Sequence, residues 1–151
     1  MWTVAVVGAR HRGWSREVNH SDLISMIIQP RKEYYKEGLS ISSIGCDVGF
    51  GKAVKEHCEE NGIKFFEFVV YFNGPRQREE YAKAYIARHA SLLEVADEFH
   101  ITVTGTRHAI IEDLVERVRT SGKMYCLYNE QNEVIEYYDP TATVPQEEQV
   151  S

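Results

Sequence analysis

Five short apolar runs, each separated from the next by a segment of helical period, constrain this chain more than any other feature. "TVAVVG" (3–8) is a β-branched run closed by glycine, the pattern of a strand buried in a parallel sheet. "LSISSIG" (39–45), "KFFEFVVYF" (64–72), "FHITVTG" (99–105) and "KMYCLY" (123–128) repeat the theme. The run over 64–72 is almost continuously apolar and predicts burial on both faces. Between the runs, "SDLISMIIQ" (21–29) reads as a helix with Ser21 as its N-cap and Leu23, Ile24, Ile27 and Ile28 on one stripe, kinked or ended by Pro30. "GKAVKEHCEENG" (51–62) is a helix closed by Asn61-Gly62. A long helix over 75–97 is opened by Pro75, and one over 106–122 is ended by Gly122.

Parallel strands need crossovers, and right-handed crossovers lay helices on both faces of one sheet. The alternation therefore predicts a single three-layer α/β domain over residues 1–140, with a mostly parallel sheet of about five strands. "NEVIEYY" (132–138) adds a closing hairpin through "NEQN". The polar, acidic stretch 141–151 reads as a disordered tail. A chain of 151 residues, 43% of them hydrophobic, is the size of one ordinary domain and has enough apolar side chains for its core.

Charge and cysteine usage narrow the function classes. A net charge of −6 argues against general nucleic-acid binding, which leaves a basic footprint. Cys46, Cys58 and Cys126 make no C-x-x-C, and three thiols leave one unpaired, which fits a reducing, cytoplasmic setting. No signal peptide and no membrane-spanning run is expected. The six histidines form neither H-x-x-x-H nor H-E-x-x-H, so no metal site is expected, and no cofactor is called for.

The chemistry is expected where the strands end. "GARHRG" follows the first strand, "GCDVGFGK" the second and "TGT" the fourth. Glycines at 45, 49 and 51 let backbone N–H groups approach an anion, and a helix N-terminus favours negative charge. Thr106 adds a hydroxyl at a second helix start. "GCDVGFGK" is not a P-loop, because Ala53 follows Lys52 where Ser or Thr is required. A dinucleotide fingerprint is also incomplete, so Mg-dependent NTP hydrolysis is not expected.

These stretches together resemble the SLOG superfamily, which includes the LOG-type phosphoribohydrolases and DNA-processing proteins. "VAVVGAR" is similar to the family's first strand and turn, with Gly8 and Ala9 in place. "IGCDVGFGKAV" is similar to its Gly-rich turn, best at Gly45 and Gly49. Arg88 and Asp97 match the spacing of the family's arginine and aspartate, and Gly105-Thr106 matches the "GT" of its "PGGxGTxxE" motif. The resemblance implies a Rossmann-like fold, a homodimer, a pocket for a phosphorylated ribose, and cleavage or transfer at an N-glycosidic bond. The departures are the missing Pro-Gly-Gly and Ala109 at the place of the catalytic glutamate.

The expected ligand site comprises Gly8, Ala9, Arg10, Gly45, Cys46, Asp47, Gly49, Arg88, Asp97, Gly105 and Thr106. Arg88 is read as an anion partner, against a solvated helix charge. Asp97 is read as ribose-facing or as a helix end, and Asp47 as a ribose acceptor or base, against a turn-former. Cys46 is a small buried residue or, at a helix start, a reactive thiol. Asp47 and Glu112 are the candidate catalytic carboxylates, since cleaving an N-glycosidic bond through a cationic sugar requires at least one. Arg10, His11 and Arg12 offer basic groups on the first loop. Two functions compete: a nucleotide-processing N-glycosidase, and a non-catalytic module that senses a nucleotide or its derivative. The missing glutamate favours the second. The expected dimer contact is on the long helix, through Tyr81, Tyr85, Leu92 and Leu93.

Overall fold

The computed structural model describes residues 1–8, 20–36, 38–46, 49–71, 78–103 and 109–141. The elements in chain order are β1 (Trp2–Val7), α1 (His20–Tyr34), β2 (Leu39–Ile44), α2 (Gly49–Glu60), β3 (Lys64–Phe68), α3 (Arg78–Val95), β4 (Glu98–Thr102), α4 (Ala109–Arg119), β5 (Met124–Tyr128) and β6 (Val134–Tyr138). The six strands form one sheet in the order β3-β2-β1-β4-β5-β6. The first five are parallel, and β6 pairs antiparallel with β5 as the closing hairpin. This is a Rossmann-like α/β domain. Among the described residues no helix is long and apolar enough to cross a membrane.

Strand alternation splits the core in two. Ala5, Val7, Phe99, Ile101 and Leu127 face α3 and α4. Val4, Val6, Ile41 and Cys126 face α1 and α2, where Leu23, Ile24, Ile27, Ile28, Phe50 and Val54 meet them. The chain turns from one face to the other between β3 and β4. Right-handed crossovers demand this, because β2 and β3 step to one side of β1 whereas β4 and β5 lie on the other.

Several expectations change. α1 continues through Pro30 to Tyr34. Pro30 removes one N–H, but it is exposed, so water can satisfy the carbonyl a turn earlier. β3 is not buried on both faces. It is an edge strand with Lys64 and Phe66 exposed, and the Lys64 ammonium lies 5.3 Å from the Phe66 ring centre. On the expected dimer face of α3, Tyr85 and Leu92 are buried in this chain's own core, and Tyr81 and Leu93 are partly buried against it. Of the expected tail over 141–151, residues 142–151 lie outside the described residues.

Candidate functional site

The order of the sheet fixes where a ligand belongs. Connections leave β1 and β4 in opposite directions, so the crevice between their carboxyl ends is the switch point at which such sheets bind ligands. Val7 pairs with Ile101, and the next step sets Gly8 beside Thr102. A Cβ on Gly8 would run into the Thr102 hydroxyl and come within 2.6 Å of the Phe50 ring. Glycine at this position therefore permits close packing of β1, β4 and α2. The Thr102 Oγ1 is buried and has no hydrogen-bond partner among the described residues.

His20, the first residue of α1, reaches the same corner. Its ring meets Phe50 edge-on at 6.1 Å between centroids. Burial lowers its pKa, partly opposed by the neighbouring Asn132 of the β5–β6 turn, which keeps the imidazole neutral near pH 7. Thr102, Phe50 and His20 were not singled out in the sequence. Thr102 left a readable signal as a polar residue inside an apolar strand.

The described glycines around the start of α2 serve the backbone. Gly45 has φ 70° and Gly49 has φ 65°, left-handed values that glycine adopts without strain. Gly51 lets α2 sit on that turn, since a Cβ there would be 2.9 Å from the Gly45 carbonyl oxygen. Cys46 is buried. Ala9, Arg10, Asp47, Gly105 and Thr106 lie outside the described residues, as do His11 and Arg12.

The remaining candidates are not brought to the crevice. Arg88 lies over the Phe68 ring at the end of β3, its guanidinium carbon 5.4 Å from the centroid. Its Nε is buried and unpartnered among the described residues. Three strand spacings separate β3 from β4, about 14 Å, and Arg88 and Thr102 sit on opposite faces. A single phosphate cannot touch both. Asp97 is at the other end of the sheet. Its Oδ2 accepts from the Thr3 N–H (2.8 Å) and its own N–H donates to the Thr3 carbonyl (2.8 Å), which ties β4 to β1. Glu112 is exposed in the first turn of α4, whose buried side is Ile111, Leu114, Val115 and Val118.

The amino-terminal edge holds the most connected polar group, and its geometry is structural. Glu98 accepts from Trp2 Nε1 (2.7 Å), from Arg31 Nε (2.9 Å) and Nη2 (2.8 Å), and from His100 Nε2 (2.7 Å). With Nε2–H donating to the carboxylate, His100 Nδ1 accepts from the Tyr128 hydroxyl (2.7 Å). Burial alone would raise the Glu98 carboxyl, but these donors outweigh it and hold it at about 2. Burial lowers His100 and raises Tyr128, which matches this wiring. A similar pair joins the face-to-face helices α3 and α4. His89 Nδ1 donates to Asp113 Oδ2 (2.7 Å), and burial lowers the His89 pKa.

A cleft of about 200 Å³ at this edge is lined by Lys32, Lys36 and Lys64. Lys32 donates to the Asn61 carbonyl (3.0 Å), the role of a cation at a helix C-terminus. Among the described residues no cluster of His, Cys, Asp and Glu is arranged to hold a metal.

A comparison of the sequence with protein-family models and with curated proteins finds no match.

Proposed function

We propose that this chain binds a nucleotide or another phosphorylated ribose in the crevice between the carboxyl ends of β1 and β4. The unpartnered Thr102 hydroxyl carries this reading. Burying a hydroxyl without a hydrogen bond costs about 1–3 kcal/mol, and a ligand that bonds to it recovers that cost. Its position at the switch point, against Gly8 and beside a neutral His20, supports a polar ligand at this spot. The resemblance of the strand-end turns to those of the SLOG superfamily gives the ligand class.

Binding without turnover is the favoured form. Glu112 is exposed on α4, and Asp97 is committed to β1 at the far edge. Cleavage of an N-glycosidic bond therefore rests on Asp47, outside the described residues. Thermal-shift screening against nucleoside mono-, di- and cyclic phosphates, with mass analysis of the products, tests both levels. Stabilisation by at least one nucleotide without release of base is expected. No stabilisation by any of them would reject the binding reading. Base release that is lost in Asp47→Asn would replace the sensor by the enzyme.

A further inference from the structure

The cleft of about 200 Å³ at the amino end of the sheet carries more positive charge than its structural role requires. It lies where α1 and α2 end and where β2 and β3 begin. Leu39 and Ile63, both buried, give it an apolar lining, and Met1, Lys32, Lys36 and Lys64 complete it. A cation at a helix C-terminus is ordinary, and Lys32 fills that role on the Asn61 carbonyl (3.0 Å). Lys36 and Lys64 are additional. Among the described residues no carboxylate lies within ion-pair distance of any of the three, whereas Arg31, Lys55, Arg117 and Arg119 each hold one. In a chain of net charge −6, three such lysines in one cleft make a place for acid. A compact anion does not suit it. Among the described residues no arginine lines the cleft, and the carbonyl ends of two helices, at Tyr34 and Glu60, oppose a small buried negative charge. Carboxylates carried on a peptide can meet the exposed lysines while an apolar neighbour covers the lining.

We propose that the occupant is the chain's own acidic segment 142–151, docked with Glu147 and Glu148 on Lys32, Lys36 and Lys64. That segment, outside the described residues, has two glutamates, a valine on either side of them and no basic residue. β6 runs antiparallel to the other five strands, so it delivers the chain to the amino end of the sheet, the end that holds the cleft. Just past the strand, Asp139 accepts from the Thr141 N–H (2.9 Å) and from its hydroxyl (2.7 Å). From β6 it is four strand spacings to β2 and five to β3, about 19–24 Å. An extended chain advances about 3.3–3.6 Å per residue. Glu147 and Glu148, six and seven residues beyond Thr141, therefore come about 20–25 Å from it, the distance the cleft demands. Val150 supplies an apolar side chain for Met1, which lines the cleft and is 71% exposed.

Lysine acetylation and carbodiimide coupling on the full chain, both read by mass spectrometry, test this. Two exposed ion pairs are expected to slow acetylation of Lys36 and Lys64 about 2- to 30-fold relative to Glu147→Gln/Glu148→Gln. The difference should vanish at about 1 M salt, where the Debye length falls to about 3 Å. At low salt, carbodiimide should join Glu147 or Glu148 to these lysines within one chain and leave Lys52, in the first turn of α2 at the far end of that helix, unlinked to them. Lys32→Glu/Lys36→Glu/Lys64→Glu should abolish the link, with circular dichroism as the check on folding. Adding Glu147→Lys/Glu148→Lys should restore a link with the charges exchanged. The acetylation comparison leaves the cleft itself intact and decides the matter even if the triple variant does not fold. Equal acetylation in the wild type and in Glu147→Gln/Glu148→Gln overturns the proposal and leaves the lysines as counter-charges for two helix ends. Links that form only between chains, or equally on Lys52, overturn it as well.

Discussion

At the scale of single residues, Thr102 separates ligand binding from stability. Its hydroxyl has no bond to lose among the described residues, so Thr102→Val removes a buried unsatisfied group and keeps the shape. The variant is expected to be more stable by about 1 kcal/mol in chemical denaturation, and to bind the cognate nucleotide about 2- to 13-fold more weakly by calorimetry. A variant that lost stability would mean the hydroxyl is bonded in the native state, and the site argument would fall. Arg88 gives the complementary test. Charged hydrogen bonds are worth about 1.5–3 kcal/mol, so Arg88→Ala should weaken nucleotide binding about 10- to 150-fold if the ligand reaches from the crevice across to β3. Undiminished affinity would confine the ligand to the β1–β4 crevice. The sequence made Gly8 legible as the glycine that ends the first strand and turns toward the expected pocket. It could not say that Thr102 and Phe50, from elements some 90 and 40 residues away, pack against it.

At the scale of elements, α1 is fastened to the sheet by charge as well as by its apolar stripe. Arg31 and Glu98 are an ion pair with little exposure, 21% and 3%. Removing one partner of such a pair leaves the other uncompensated, so Arg31→Ala is expected to cost about 3–5 kcal/mol in denaturant unfolding. Arg31→Met/Glu98→Gln should cost less than the single change. Acid adds a second readout. Burial lowers His89 and His100 in the fold, so the unfolded chain binds more protons, and stability falls as pH drops below about 6.5. Glu98 is depressed to about 2, so its contribution is present above about 4.5 and is lost between there and about 2. Melting temperatures from pH 8 to 3 should decline in two stages, and His89→Gln should flatten the first. None of this wiring was legible in sequence. The alternation of apolar runs hides Glu98 and His100, because polar residues that satisfy one another inside a strand read as mere interruptions. The helix over 21–29 was legible from its stripe, but its extension through Pro30 depended on that residue facing water.

At the scale of the whole molecule, three layers, a parallel sheet and a hairpin followed from the period of the sequence, because period 2 and period 3.6 segments alternate and each must bury its apolar side. The order of the strands did not follow. β3 was expected to be buried on both faces from its near-continuous apolar run, yet it is an edge, and only the sheet order reveals that Phe66 faces outward. The same order separates Arg88 from the crevice, and Asp97 lies at the opposite, amino ends of β1 and β4, although the spacing shared with the family had placed both in the pocket.

The central position of β1 has a consequence for how the chain is made. Its two neighbours in the sheet are residues 39–44 and 98–102. During synthesis, at about 5–20 residues per second, one side of β1 is completed early, whereas the other waits for more than fifty further residues. Through that interval "VAVV" presents a bare, apolar, β-branched edge, the kind of segment that seeks any strand within reach. Non-local pairing of this sort folds slowly. A nascent chain stalled before Glu98 would therefore be the form most dependent on chaperones, and the arrival of β4 is the step that covers this edge.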